Sequence, residues 1–419
     1  MKLKNINLIV IGDIMLDKWL HGDRKKSSAE APIKVFNLKN KKYSLGGAGN
    51  LSRNLKNLKV KFKLFTEVGK DIDGKKVIGL LKKYKINYSI LSEEKITTSK
   101  KRFFVNGKQI FREDKEDTKI NKRITNQILK KINRNDIIII SDYAKGIVDK
   151  NFHSALIKKK CITLIDPKNR PEFYKGAYLI KPNLAKFEEW CGKFSKLKAF
   201  NLMKKMKWDW LIVTCGSKGV YVFNKKGVFN HYKVKQIKKP NVIGSGDIFF
   251  AGLISLYLRA YDIFSSSEIA SFASTKLVSR PNERFLKKND FKKDLVFTNG
   301  VFDILHKGHL GLLKFSRSLG NKLVVAINSD ESVKKIKGKN RPLNNIKKRI
   351  DSLKKTKLVD EIIVFKEKTP IKIIKKIKPD VIVKGDDYKF KEVSGKKISN
   401  VILFPKLKNI STTRIIEKF

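Results

Sequence analysis

The chain is short of several things at once. It has three cysteines in 419 residues, Cys161, Cys191 and Cys215, scattered and without metal-ligand spacing. That argues against a cysteine metal site and fits a reducing, cytoplasmic compartment. No apolar run approaches the ~18–20 residues of a membrane-spanning helix. The opening MKLKNINLIVIGD runs directly into a strand, without the longer apolar stretch and small-residue cleavage site of a secretory signal. There are only five histidines. Acidic residues are scarce too: 39 Asp and Glu stand against 95 Lys and Arg, a formal net charge of +56. Such an excess often marks a nucleic-acid binder. Here lysine heavily outnumbers arginine, spreads along the whole chain and is joined by abundant Asn and Ile, the usage of an AT-rich genome. No basic tail, zinc finger or aromatic RNA-binding signature stands out. The expectation is a Lys-rich solvated surface that attracts phosphorylated small molecules, with no nucleic acid or membrane as partner.

What is present suffices for two or three packed domains: 419 residues, 41% of them hydrophobic. Leu8 to Gly12 (LIVIG) reads as a buried strand, with Asp13 and Asp17 following at its carboxyl end, where α/β proteins form ligand sites. A polar excursion with Pro32 and the alternating IKVFNL predicts a strand of a small lid. In LGGAGNLSRNL (Leu45 to Leu55), Gly46, Gly47 and Gly49 admit close backbone approach, and a helix starts with Asn50 in its first turn. Plain tight packing accounts for such a turn equally well.

Val68 to Gly74 is another strand-to-helix turn, and Lys101 to Arg112 predicts a hairpin around Asn106-Gly107. Ile137 to Ile140 is a continuous apolar run, hence a central parallel strand, ending in SDYAKG (Ser141 to Gly146). Ile162 to Ile165 ends in Asp166-Pro167-Lys168. Leu179-Ile180 leads into Lys181-Pro182-Asn183 and a helix, and Leu211 to Thr214 ends in the Cys215 to Gly219 turn. Strands alternating with helices, with polar and glycine residues at the strand ends, indicate a doubly wound α/β domain.

In VIGSGDIFFAG (Val242 to Gly252), Gly244 and Gly246 permit a turn whose amides converge, and the apolar helix from Ile248 aims its positive end there. These amides suit a transferring phosphoryl group, and the Asp247 carboxylate beside them suits the proton of an attacking hydroxyl. Helix capping is the competing role for Asp247.

A second domain follows the polar, charged RPNERFLKKNDF (Arg280 to Phe291). Leu295 to Phe297 reads as a strand broken by Thr298, Asn299 and Gly300. The next helix carries His306 and His309 on neighbouring positions of one face, with bare backbone at Gly308 between them. Two imidazoles at a helix start beyond a strand's carboxyl end suit nucleotide phosphates; the alternative is two solvated or core histidines. Leu323 to Ile327, Glu361 to Phe365 and Val381 to Val383 are further strands, the last ending in Lys384-Gly385-Asp386-Asp387-Tyr388. Arg341 is either a phosphate contact or a solvated loop residue. Ile410-Ser411-Thr412-Thr413-Arg414 opens a helix whose hydroxyls and free amides form an anion site.

These motifs carry two resemblances that together cover nearly the whole chain. Residues 5 to about 280 resemble the ribokinase-like sugar kinases, through Asp13 and Asp17, GGAGN (Gly46 to Asn50), Pro182-Asn183 and the GSGD turn. TNGVFDILHKGH, KGDDY and ISTTRII resemble the HxGH nucleotidylyltransferases. The order of the halves, with SDYAKG and IDPK, is similar to the bacterial bifunctional heptose 7-phosphate kinase/heptose 1-phosphate adenylyltransferase family. The resemblance implies a ribokinase-like doubly wound α/β domain with a small β lid over residues 1–285, a linker at 286–293, and a Rossmann-like nucleotidylyltransferase domain at 294–419. It implies phosphorylation of D-glycero-β-D-manno-heptose 7-phosphate at C1, then adenylyl transfer from ATP to heptose 1-phosphate, giving ADP-heptose for the lipopolysaccharide core and pyrophosphate. A separate phosphatase acts between the two steps. ATP is the cofactor, Mg²⁺ arrives with it, and no permanent metal site is expected. Partners are sugar phosphates and ATP, with a homodimer through the lid strand.

By resemblance, Asp247 is the kinase base. Asp17, Gly47, Asn50 and Arg102 serve the sugar, and Asn183, Lys186, Gly216, Gly219, Gly244, Ser245 and Gly246 serve ATP and the anion hole. His306 and His309 act on the α-phosphate. Thr298, Asn299, Gly300, Phe302, Arg341, Lys384, Gly385, Asp387, Ser411, Thr412 and Thr413 bind the second ATP. Three positions depart from the families. Lys186 stands where the kinases have the Glu of Asn-x-x-Glu, Asn241 stands where they have Asp, and Asp386 stands where the heptose enzymes have Gly. Either Lys186 contacts phosphate, or Glu188 substitutes, or only the adenylyltransferase half is active. A nucleotidylyltransferase for another sugar or polyol phosphate is a further alternative.

Overall fold

The computed structural model describes residues 7–24, 26–91, 94–118, 122–238, 240–259, 261–280, 285–385 and 393–404. The strands are β1 (Leu8–Gly12), β2 (Ile14–Asp23), β3 (Asn37–Gly47), β4 (Lys63–Thr66), β5 (Tyr88–Ile90), β6 (Ser99–Val105), β7 (Lys108–Lys115), β8 (Ile137–Ser141), β9 (Ile162–Asp166), β10 (Leu179–Ile180), β11 (Trp210–Thr214), β12 (Val220–Asn224) and β13 (Phe229–Tyr232). They are followed by β14 (Lys293–Gly300), β15 (Gly320–Asn328), β16 (Glu361–Phe365), β17 (Val381–Gly385) and β18 (Asn400–Phe404).

Two compact units form. The first holds a nine-stranded sheet in the order β13-β12-β11-β10-β9-β8-β1-β4-β5, and a four-stranded sheet in the order β3-β2-β6-β7. From β11 to β5 every pairing in the large sheet is parallel, and β12 closes antiparallel on β11. The continuous apolar runs explain the middle of this sheet: every residue of β8 is buried, as a parallel strand covered on both faces must be. In the small sheet β6 turns back into β7 at Asn106 (φ 50°) and Gly107 (φ 76°), the left-handed pair that a two-residue hairpin requires. The expected lid strand over IKVFNL is shorter at its start. Its regular pairing begins at Asn37 and then runs through Leu45, Gly46 and Gly47, so these belong to the strand rather than to a turn.

The second unit holds a five-stranded, wholly parallel sheet in the order β16-β15-β14-β17-β18, together with residues 253–277. Chain order reverses between β14 and β17, and a crevice opens at the carboxyl ends of strands on either side of such a switch. Phe297, Val324, Ala326, Ile374, Ile382 and Val401 form the core on one face of this sheet. β14 extends through Thr298, Asn299 and Gly300, where the sequence suggested a break. Their backbones pair with Val325, Ala326 and Ile327 of β15, which keeps them extended.

Candidate active sites

The first site lies in the first unit. The helix after the GSGD turn starts at Ser245, earlier than the expected Ile248, so Gly246 and Asp247 sit in its first turn. Gly244 has φ 74°, and a Cβ there would stand 2.6 Å from the Asn50 side-chain nitrogen. Only glycine lets the turn approach so closely. Asp247 does not act as a helix cap. Its Oδ2 accepts from Asn50 Nδ2 at 2.9 Å and its Oδ1 from the Tyr143 hydroxyl at 2.9 Å. Burial raises the carboxyl's pKa and the Asp166 carboxylate adds to this. The Asn50 and Tyr143 hydrogen bonds and the Lys181 charge pull it down, and the balance is about 7.

Each partner is held in turn. Asn50 lies on the helix Ala48–Asn57, where Asn54 Nδ2 donates to its carbonyl at 2.9 Å. Tyr143 follows β8, and its amide donates to Asp13 Oδ2 at 2.8 Å, as does the Lys145 amide at 3.1 Å. Asp13, at the end of β1, thereby pins the SDYAKG loop.

Met15, Asp17, Trp19, Gly47, Asn50, Arg53, Lys100, Arg102, Tyr143, Gly244 and Asp247 line one cleft with about 620 Å³ of open space. Asp17 Oδ1 accepts from Arg102 Nη1 at 2.7 Å, and both residues are buried. The cleft thus brings together Asp17, Gly47, Asn50, Arg102 and Asp247, five of the residues expected there. It also contains Arg53, whose guanidinium lies between the Tyr84 and Phe285 rings, and Lys100. Neither was singled out in the sequence, where two more cations among 95 give no local signal.

The residues expected on the ATP side occupy the ends of β10 and β11. Asn183 caps the helix Leu184–Cys191, its Oδ1 accepting from the Lys186 amide at 2.8 Å. It also bridges to Thr214, beside the turn where Gly216 (φ 54°) and Gly219 (φ 89°) take left-handed conformations. Lys186 Nζ pairs with Glu189 at 2.7 Å. Glu188 accepts the Phe194 amide at 3.0 Å. Its carboxylate is committed to its own loop.

The second site stands at the switch point of the five-stranded sheet. His306 is not within the helix but caps it: the helix is Lys307–Ser318, and His306 Nδ1 accepts from the Gly308 and His309 amides at 3.1 and 3.4 Å. An accepting Nδ1 leaves the proton on Nε2, which can donate outward. The two imidazoles stack with centroids 3.9 Å apart, and His309 also meets Phe302 at 5.1 Å. His309 Nδ1 faces the Ile304 carbonyl at 3.2 Å. A carbonyl only accepts, so Nδ1 carries the hydrogen. Lys384, 6% exposed at the end of β17, donates to the Asn299 carbonyl at 2.8 Å and ties β17 to β14 across the switch. Among the described residues the Thr298 hydroxyl and the Asn299 side-chain carbonyl are buried and find no hydrogen-bond partner, polar atoms to which a ligand could be fitted.

Arg341 pairs with Asp303 at 3.2 Å, and Asp303 also takes the Leu343 and Asn344 amides at 2.9 and 2.8 Å. Behind this strap lies a residue that the sequence reading missed. Arg349 is 0% exposed, and its guanidinium donates to Asp330 at 2.6 Å, the Val301 carbonyl at 2.8 Å and the Asn344 carbonyl at 3.1 Å. It fixes the loop that leads to the histidines. Asp387, Ser411, Thr412 and Thr413, like Asp386 and Arg414, lie outside the described residues.

A carboxylate in a polar cleft beside a glycine turn, followed by a stacked histidine pair at a parallel-sheet switch point, defines a class: a sugar kinase joined to a nucleotidylyltransferase. Comparison with known proteins agrees. Residues 5–288 match the pfkB family carbohydrate kinase model, and residues 297–418 match the cytidylyltransferase-like model. Over its whole length the chain is 32% identical to the bifunctional protein HldE of Nitratiruptor and 34% identical to that of Helicobacter pylori strain J99, with 98% of each chain covered. The chain belongs to the HldE family of bifunctional enzymes. Among solved structures it shares its fold with Escherichia coli phosphofructokinase-2 (TM-score 0.59, 14% identity, 68% of this chain and 97% of that one). The Arabidopsis thaliana ribokinase solved with ribose and ATP is similar (TM-score 0.54, 14% identity, 68% and 97%).

Proposed function

We propose that this chain makes ADP-heptose in two separate steps. Residues 1–285 form the kinase domain, 286–293 the linker and 294–419 the adenylyltransferase domain. In the kinase domain the anomeric hydroxyl of D-glycero-β-D-manno-heptose 7-phosphate attacks the γ-phosphorus of ATP. Asp247 takes the hydroxyl proton, the bond to the bridging oxygen breaks and ADP leaves. Asp17, Gly47, Asn50 and Arg102 hold the sugar. Asn183, the Gly216 and Gly219 turn, Gly244, Ser245 and Gly246 serve the nucleotide and the migrating phosphoryl group. In the second domain an oxygen of heptose 1-phosphate attacks the α-phosphorus of a second ATP and pyrophosphate leaves. No protein nucleophile is needed, because the sugar phosphate is already charged, so positioning and charge stabilisation supply the catalysis. The outward Nε2 of His306, with His309 and Lys384, meets the charge that builds on the α-phosphate. Mg²⁺ enters with ATP as part of the substrate. The enzyme works in the cytoplasm as a homodimer through the small sheet.

The observation that carries this reading is the Asp247 carboxylate, held by Asn50 and Tyr143 at the mouth of the glycine turn with a pKa of about 7. That is the proton affinity a base needs near neutral pH. The test is mass spectrometry of products made by the purified protein with Mg-ATP, using heptose 7-phosphate in one tube and heptose 1-phosphate in another. Bisphosphate in the first and ADP-heptose in the second are expected. His309→Ala should abolish the second product and leave the first. ADP-heptose from wild type without bisphosphate would show that Lys186 marks a kinase domain without its chemistry. No product in either tube would remove the heptose assignment.

A further inference from the structure

Lys181, at 2% exposed, is one of three buried lysines among the described residues of a chain rich in solvated ones. It sits just past β10, and its ammonium donates to Asp166 Oδ2, at the end of β9, at 2.9 Å. An ammonium carries three donors, and this ion pair uses one. The same nitrogen stands 3.5 Å from where a Cβ on Gly246 would be. It therefore lies against the glycine turn, with no side chain between. The Phe250 ring, one helical turn on, lies 5.7 Å from it. Three elements thus bring a cation and a second carboxylate to the glycine turn that carries Asp247.

The charges explain why a cation belongs there. With Asp166 and Asp247 both ionised and no lysine, the turn would present two negative charges, one half-buried and one buried, to an incoming phosphoryl group, itself anionic. In a partly buried site the effective dielectric is lower than in water, which strengthens that repulsion. With Lys181 the net charge of the three side chains is −1, and it becomes zero when Asp247 takes the sugar's proton. The cation also lies on the side of the site where Lys186 replaces a family carboxylate and Glu188 is committed elsewhere.

We propose that Lys181 is a catalytic residue of the kinase site, whose ammonium contacts the phosphoryl group in the Gly244–Gly246 turn during its transfer from ATP to the sugar hydroxyl. The inference rests on the kinase reading of this site. The oxygen–phosphorus bond to the sugar forms as the bond to ADP breaks, the hydroxyl proton goes to Asp247, and Lys181 keeps its own protons throughout.

Two measurements on the full-length protein test it. The first is kinase turnover. Lys181→Met should lower kcat by about 10²–10³-fold, the usual loss for one donor aimed at transition-state charge. The sugar KM should stay within about twofold, as expected when only transition-state binding is lost. Adenylyl transfer, measured in the same sample, should be unchanged and reports folding. If Lys181 served only to neutralise Asp166, the double variant Lys181→Met/Asp166→Asn would recover most of the activity. Contact with the phosphoryl group requires that it stay inactive, so recovery overturns the proposal.

The second measurement does not depend on which sugar is used. ADP–aluminium fluoride, a mimic of the phosphoryl group in flight, should bind Lys181→Met at least about tenfold more weakly than wild type, while ADP alone binds both equally. Equal binding of the mimic overturns the proposal even if heptose 7-phosphate proves not to be the substrate. A wild type that binds the mimic but leaves heptose 7-phosphate unphosphorylated would instead refute the substrate reading and leave the role of Lys181 supported.

Discussion

Tyr143→Phe isolates one hydrogen bond on Asp247, the carboxylate proposed as the kinase base. The Tyr143 hydroxyl donates to Asp247 Oδ1 at 2.9 Å in a part-buried setting, and the folded pKa of that carboxyl is about 7. A hydrogen bond to a charged group contributes about 1.5–3 kcal/mol. Only its preference for the carboxylate over the carboxylic acid bears on the pKa, which leaves roughly 1.4 kcal/mol, or about one pKa unit. Losing the donor disfavours the charged form, so the pKa rises from about 7 toward about 8. Asp247 must be ionised to accept the sugar's proton, so kinase activity is lost as pH falls through this value. At pH 7 the ionised fraction drops from about a half to about a tenth, a roughly fivefold loss, and near pH 9 the two enzymes converge. The assay is ADP release at saturating ATP from pH 5.5 to 9.5, giving kcat/KM for the sugar, with adenylyl transfer as the control for folding. An unchanged acid limb in the variant, or a loss of equal size at every pH, would refute the assignment of Tyr143 as a positioning residue acting through Asp247.

Two further outcomes follow from the buried charges. In Asp247 the folded pKa is raised from 3.8 to about 7, so between those values the folded state binds the proton more tightly than the unfolded chain. Stability therefore falls as pH rises through that window, and the whole cost persists above it. Asp247→Asn removes that cost. Kinase chemistry should vanish while the protein gains on the order of 2–4 kcal/mol at pH 8 and nothing at pH 4; urea unfolding at both pH values measures this, and a variant less stable than wild type at pH 8 contradicts the burial argument. Arg349→Met leaves the Val301 and Asn344 carbonyls and Asp330 without their shared donor. It should cost about 3 kcal/mol of stability. It should also reduce adenylyl transfer by about 100-fold through misplacement of the histidine loop, with kinase turnover as the internal reference. Adenylyl transfer within twofold of wild type would show that Arg349 does not position that loop.

Much of this protein was decided locally. Four consecutive isoleucines, Ile137 to Ile140, have nowhere to go but the middle of a sheet covered on both faces, and that is where β8 lies. Asn106-Gly107 supplies the two left-handed residues of a hairpin and makes one. The glycines of the GSGD turn and the histidine spacing of HKGH raise the expectation of anion chemistry, because bare backbone and a helix start are local properties. The boundaries were less legible. The sequence suggested a break at Thr298 to Gly300, and only pairing with β15 shows that the strand continues. The sequence placed His306 on the helix, and only its hydrogen bonds to the Gly308 and His309 amides show that it caps the helix instead.

The partners of each site residue were decided by the tertiary structure alone. Asp247 is 104 positions from Tyr143 and 197 from Asn50, and whether it caps a helix or stands as a base depends on those two contacts. Asp166 and Lys181 meet because β9 and β10 are neighbours in a parallel sheet. Arg349 is one basic residue among 95, and becomes distinct only when the fold buries it and turns it toward two carbonyls and Asp330. A sequence specifies which chemical groups are present and which short segments are stiff, bent or amphipathic. Distances across the sheets, and the loss of water that gives a buried charge its strength, exist only once the chain has closed on itself.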